Sequence, residues 1–276
     1  MIAQASDISI APSQPSLRVR LTRTMYFEIE GSRVRFGGTM HAVPKGRPLA
    51  HWVHDAIGWA RIIYLEHDKL ESDQGRYAPP GSRPLAQRLP NSWPRIERKY
   101  QHDRQRVAHL AMRRPGAVAS EVLDPAPFDE GVERRAIASS KETQPPRPRI
   151  KYLETAAQSY ALADVVGDAV WDTVVGYALD NPSMFKRVLE TSYRAWTAGD
   201  FEEVERISST QWLNRFGPVK DAIMTARNRL WLPTIRELVQ SAAEPTLVLV
   251  GAAHLGGSDG LLQLLRADGL KLKQLL

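Results

Sequence analysis

Two histidines stand at matching places in this chain. Gly38-Thr-Met-His41 follows a β-rich run, and so does Gly251-Ala-Ala-His254. A glycine after a strand lets the backbone turn or approach a ligand closely, which carries the following imidazole to the edge of a sheet. Two carboxylates repeat in the same manner: Arg61-Ile-Ile-Tyr-Leu-Glu66 and Arg149-Ile-Lys-Tyr-Leu-Glu154 agree at five of six positions. An acid at the end of an apolar strand costs stability unless it is paired or bound, so Glu66 and Glu154 are stronger candidates than the acids of charged helices. The competing readings are ordinary ones. A single Gly-x-x-His arises often by chance, and a Glu at a helix N-terminus is a stabilising cap. Imidazole and carboxylate also serve equally well as ligands and as proton carriers, so residue type alone does not choose between a metal site and acid–base catalysis. His51 and His54, three apart on a helical stretch with no acid opposite, read as a surface face, and His67, His102 and His109 as ordinary polar positions.

The elements that must position these groups follow from periodicity. Residues 1–16 lack it and read as a loose tail. Two alternating runs, 25–31 and 32–41, split by Gly31-Ser32, read as a β-hairpin whose second strand delivers His41. Residues 47–60 read as a helix, 60–66 as a central strand ending on Glu66, and 72–94, crowded with Pro, Gly, Ser and Arg, as a long surface loop. Helical character returns over 95–113 and 131–141, and 149–154 is a strand that again ends on Glu. From 155 to 242 the pattern is helical nearly throughout, a lobe. Within it Leu162, Val165, Val166, Ala169 and Val170 share a face, Asn181-Pro182 breaks the chain between two helices, and Asp200 with Glu203 has capping-box spacing. Val219, Ile223, Ala226 and Leu230 form an apolar stripe, with Pro233 kinking that helix or starting another. The chain closes with a buried strand at 246–250, a short helix at 260–265 and a strand at 270–276. Trp52, Trp59, Trp171, Trp196, Trp212 and Trp231 read as core anchors rather than a stacking platform.

Composition narrows the classes. With 276 residues, 43% of them hydrophobic, the chain can bury a sizeable α/β core, expected as one domain over 17–276. It has no cysteine, which excludes disulfides, thiolate sites and cysteine nucleophiles, so any metal must take His, Asp or Glu. The formal charge of +6 comes from 28 Arg against 9 Lys, scattered rather than gathered into a stripe, and no nucleic-acid surface is expected. The first residues carry neither the basic start nor the apolar stretch of a secretion signal, and no run reaches the ~20 apolar residues of a membrane span. A cytoplasmic protein is the expectation.

The segments Gly-Thr-Met-His-Ala-Val-Pro44, Tyr-Leu-Glu66, Tyr-Leu-Glu-Thr155, Arg227-Asn228 with Trp231 and Ile235, and Val-Gly-Ala-Ala-His254-Leu-Gly-Gly with Gly260, Leu265 and Gly269 stand in an order that resembles the TraB/PrgY–GumN family over about residues 25–276. The animal Tiki proteins, similar to that family, are regarded as metal-dependent proteases using paired Gly-x-x-His motifs and acids; erythromycin esterases and haem-binding ChaN proteins are more distant relatives. The resemblance implies a central mixed β-sheet with flanking helices and a helical lobe. It also implies that His41, His254, Glu66 and Glu154 converge, with Arg227 beside them. Two His and one or two Glu suit a divalent Mn, Co, Fe or Zn that activates water, with a free Glu as general base. Arg227 would hold a substrate carboxylate or an oxyanion, or else form a salt bridge to Glu66 or Glu154. The expected activity is metal-dependent hydrolysis of a peptide or ester bond in a peptide or small-molecule substrate; the alternative is a non-catalytic protein binding metal, haem or peptide. A homodimer is the commonest assembly if one forms.

Overall fold

The structure is a computed structural model that describes residues 23–68, 74–123, 128–141, 147–211 and 215–275. The expected tail at 1–16 lies outside them, as does Trp212. The strands are β1 (Tyr26–Ile29), β2 (Val34–Thr39), β3 (Ala42–Pro44), β4 (Ile62–Leu65), β5 (Phe128–Glu130), β6 (Arg149–Tyr152), β7 (Thr246–Gly251) and β8 (Leu272–Gln274). Six of them form one mixed sheet in the order β6-β4-β7-β2-β1-β8, in which β6, β4, β7 and β2 are parallel and β1 runs antiparallel to both its neighbours, β2 and β8. β3 and β5 form a separate two-stranded ribbon. The expected hairpin is β1–β2, its turn made possible by Gly31 at φ +78°.

Register gives the sequence repeats their meaning. Thr39 pairs with Gly251 across β2 and β7, so the two Gly-x-x-His segments leave the sheet side by side. Leu65 pairs with Tyr152 across β4 and β6, and the pairing runs on, with Glu154 N–H donating to Glu66 O at 2.9 Å. All four candidate side chains therefore emerge at the carboxyl ends of parallel strands, the edge at which open α/β sheets place their sites. β7, flanked by β4 and β2, is buried at all six positions, as its uninterrupted apolar run requires.

Both faces of the sheet are covered. On one lie Trp52, Val53 and Ile57 of the Trp52–Trp59 helix with Leu189, Trp196, Val204 and Ile207; on the other Trp231, Ile235, Leu261, Leu262 and Leu265. Trp196 is fully buried, and its indole N–H donates to Gly38 O at 2.7 Å, so one side chain fills the core and satisfies a backbone carbonyl. A third apolar cluster, Leu85, Leu89, Ile96, Leu110, Val118, Trp171, Val174 and Phe216, holds the helical part together. Trp52 and Trp171 are buried too, while Trp59 is only partly so.

Several elements differ from the expectation. The stretch read as loop contains the Leu85–Arg88 helix and the start of Trp93–Lys99, because Leu85, Leu89 and Trp93 recur every four residues and all bury despite the surrounding prolines. The Pro115–Glu121 helix and β5 have no counterpart in the sequence reading. The helical face drawn through Val165 is broken: the helix ends at Asp164, Gly167 turns at φ +85°, and Val165 is 84% exposed. Pro233 lies inside the continuous Ala226–Ser241 helix and begins no new one. The stripe through Leu230 is also wrong, since Leu230 is exposed and Arg227, Asn228, Trp231 and Ile235 face inward. A π-helical segment at Asp221–Thr225 is the cause, because its wider turn advances the phase of everything that follows.

Candidate active site

At the sheet edge, Arg227 is the hub of a buried ionic cluster. Its Nε donates to Glu154 Oε1 at 2.8 Å, and its Nη2 donates to Glu66 Oε2 at 2.7 Å and to the same oxygen of Glu154. The other oxygen of Glu66 accepts from Gly251 N–H at 2.7 Å. Glu66, Glu154 and Arg227 are all buried. Burial opposes the charge on Glu66, but Arg227 first, then His41, His254 and the Gly251 amide, outweigh it and hold its carboxyl well below the usual range. Arg227 thus forms the salt bridge rather than reaching outward, and it bridges both carboxylates. Glu154 does not cap the helix that follows it: Thr155, next in sequence, does so through a full capping box with Gln158.

Glu154 keeps something unsatisfied. Its Oε2 is buried without a hydrogen-bond partner among the described residues, as is Nδ1 of His67, which stands 3.6 Å from Glu154 Oε1. His67 is therefore part of the cluster's wall rather than an ordinary polar position, whereas His51 and His54 are exposed as expected.

His254 is fixed in one tautomer. The Asn228 amide nitrogen donates to two carbonyls, Asp259 O at 2.8 Å and His254 O at 3.3 Å, so its oxygen must face His254 Nδ1, 2.7 Å away, which carries the proton. The Nε2 lone pair then points into the cluster, 3.5 Å from Arg227 Nη1. Trp231 closes this side, its ring 4.7 Å from the imidazole and 4.7 Å below the guanidinium. Burial, with Arg227 and His41 adding to it, pushes the imidazole down to about 3, so His254 is neutral.

His41 has the opposite surroundings. Its side chain is 63% exposed, with Nδ1 3.0 Å from Glu133 Oε1 and Nε2 3.7 Å from Glu66 Oε1. Glu133 also accepts from the Thr39 hydroxyl. Glu133, more than any other neighbour, pushes His41 up to about 9 against the cost of desolvation, with Glu66 assisting. Burial opposes ionisation of Glu133 in turn, but His41 and the hydrogen bonds from His41 and Thr39 keep its carboxyl below the usual range.

Glycines allow this crowding. A Cβ on Gly251 would stand 3.2 Å from His41 Nε2, 3.3 Å from Glu66 Oε1 and 3.6 Å from His254 Cδ2. One on Gly38 would meet Leu255 at 2.7 Å and Ala252 at 3.2 Å, so Gly38 lets β2 lie against the turn that carries His254. At Gly131 a Cβ would fall 1.7 Å from Met40 O. There Gly131 and Val132 N–H donate to the carbonyls of His41 and Met40, both at 3.1 Å, tying the helix of Glu133 to the backbone of His41.

The donor types raise the expectation of a metal, and as placed they do not form a site for one. Arg227 fills the position between Glu66 and Glu154 where a cation would neutralise both, and among the described residues no group of three or more His, Asp or Glu suited to a metal ion occurs. Three partners escaped the sequence reading: Glu133, Asn228 and His67. Asn228 was in plain view beside Arg227. Glu133 lies in an unremarkable charged helix, and its role comes from the β3–β5 ribbon that folds that helix back onto His41.

Among the described residues no helix is long and apolar enough to cross a membrane. No curated protein and no solved structure matches the chain. A family model does: the TraB/PrgY/gumN family, over residues 27–274, nearly the whole chain.

Proposed function

From the premise that the chain belongs to the TraB/PrgY/gumN family, we propose that it is a hydrolase of peptide or ester bonds in which His41 is the proton-transfer residue. The observation that carries this is the exposed His41 held through Nδ1 by Glu133, which leaves Nε2 at the open sheet edge. In its neutral form that nitrogen accepts a proton from water as the water oxygen attacks the substrate carbonyl, and Glu133 stabilises the imidazolium formed. The proton then passes to the departing amine or alkoxide. Glu66 Oε1, 3.7 Å from Nε2, is too far for a direct hydrogen bond and near enough to orient the same water. Arg227 and His254 are positioning residues for Glu66.

With His41 at about 9, about one molecule in a hundred carries the reactive form at pH 7, and the rate should climb about tenfold per pH unit until it levels near pH 9. A panel of p-nitrophenyl esters and a fluorogenic peptide library provide the substrates. His41→Gln should lower kcat/KM by about 100-fold or more, and Glu133→Gln should move the limb to lower pH. Turnover that persists in His41→Gln, or a profile flat from pH 6 to 9, sinks the proposal.

Two observations favour a second reading, metal-assisted hydrolysis: the His254 lone pair turned into the cluster and a Glu154 Oε2 that has no partner among the described residues. If Arg227 withdraws, His41, His254, Glu66 and Glu154 become a donor set for Mn, Co, Fe or Zn. Mass spectrometry of untagged protein beside the His41→Ala/His254→Ala double variant separates the two: near-stoichiometric metal lost in the double variant favours this second reading. Metal, haem or peptide bound with no turnover on any substrate would make the chain a binding protein instead.

A further inference from the structure

A cavity of about 340 Å³ adjoins the ionic cluster. His67 and Arg227, the two side chains that flank Glu154, belong to its wall. Much of the remaining wall is aromatic or aliphatic: Tyr160, Trp171, Val219 and Ile223. Two glycines make room for the rings. A Cβ on Gly116 would stand 3.0 Å from the Trp171 ring, and one on Gly75 would overlap the ring of Tyr160. Both rings are held in place. Trp171 Nε1 donates to Ala163 O at 3.0 Å, and Tyr160 lies 5.4 Å from the Arg114 guanidinium, which donates to Gly75 O at 2.7 Å and pairs with Asp164. The pocket is thus formed before any guest arrives.

The charges in this wall are already met. Arg227 is held by Glu66 and Glu154, Arg114 by Asp164, and Arg76 is not free. A charged guest finds no waiting counter-charge, whereas an uncharged ring meets two fixed rings and aliphatic side chains. Topology sets which part of a substrate arrives there. His41 follows the end of β2 and His67 the end of β4 by the same two residues, and β2 and β4 are the two parallel neighbours of β7. Two strand spacings make about 10 Å, which about three residues of extended chain span.

We propose that this cavity is a specificity pocket and that it takes an uncharged aromatic side chain of a peptide substrate, about three residues from the bond on which His41 acts. The space is at the lower end of the range of about 300–1,000 Å³ typical of ligand sites, enough for one large side chain. The proposal rests on the hydrolase reading only for the position of the bond, so binding and cleavage are measured separately.

Saturation-transfer NMR and isothermal titration read binding to the full chain of a capped pentapeptide, glycine except for a central phenylalanine, beside its alanine and glutamate counterparts. The phenylalanine peptide should bind at least about tenfold more tightly than either. Ser159→Trp and Ser120→Trp, which fill the cavity from two different helices, should each weaken it about tenfold. Val165→Ser, which removes an apolar side chain 84% exposed outside the cavity, should leave it unchanged. Ser120 is exposed, so its variant keeps the test valid if Ser159→Trp fails to fold. Equal affinity for phenylalanine and alanine overturns the pocket, as does a preference for glutamate or full binding in both tryptophan variants. An equal loss in Val165→Ser overturns it too, since it would report a sticky surface alone. Phenylalanine-selective binding that persists in His41→Gln, without cleavage of any peptide, keeps the pocket and removes the hydrolase. Cleavage that ignores an aromatic residue about three positions from the bond does the reverse.

Discussion

At the end of β2, His41 stands 63% exposed beside Glu133 and is pushed up to about 9; one strand away, at the end of β7, His254 is 4% exposed, bonded to Asn228 and pushed down to about 3. Both follow the same Gly-x-x-His pattern in adjacent register. The difference lies in what packs against each. His41 meets a carboxylate at the rim of the sheet, and His254 meets an amide, an indole and a guanidinium under a helix. A repeated motif has been divided between a charged, accessible imidazole and a neutral, enclosed one, which is the arrangement expected when one performs proton transfer and the other holds the scaffold.

The strongest way to break this comparison is to remove the hub. Arg227→Met leaves Glu66 and Glu154 buried without their cation and should cost about 3–5 kcal/mol in urea unfolding. A loss below about 1 kcal/mol would mean that water reaches the carboxylates and that the His254 side is not the enclosed one. Next come the histidines themselves. His254→Ala strands the Asn228 oxygen and empties a packed site, so a loss of about 1–3 kcal/mol is expected, against less than about 1 kcal/mol for the exposed His41→Ala. Equal losses would erase the distinction.

The smallest effect is the pH dependence. A folded-state value above the ordinary 6.5 means that the stability His41 contributes is full below pH 6.5 and lost as pH rises toward about 9. His254, shifted down, contributes stability that is present above 6.5 and lost as pH falls toward about 3. Unfolding free energy should therefore fall on both sides of pH 6.5, shallowly on the alkaline side because His41 is largely exposed. Proton NMR of the ring resonances in each His→Gln background assigns the two transitions; a single titration near 6.5 for both would contradict the comparison.

Much of the sheet was legible because strand ends repeat. Leu65–Glu66 and Leu153–Glu154 look alike in sequence and lie side by side in space, and so do the two Gly-x-x-His segments. Helix phase was less legible. A period of 3.6 run through Val219, Ile223, Ala226 and Leu230 is sound only for a regular helix, and the π segment at Asp221–Thr225 adds a residue to the turn and brings Arg227 and Asn228 inward instead. Glu133 was hidden for another reason. It is about ninety positions from His41 in sequence, and only the short β3–β5 ribbon, whose strands carry no strong pattern of their own, brings them together. The stretch at 72–94 misled because its prolines were read as marks of a loop, when Pro94 stands in the first turn of a helix and opens it.

The absent side chain at Gly131 has a mechanical consequence. With the carbonyls of Met40 and His41 clamped to the first amides of the helix that bears Glu133, the imidazole and its carboxylate ride on a single rigid body. A Cβ at 131 would fall 1.7 Å from Met40 O, so any residue but glycine there would pry the imidazole and its carboxylate apart.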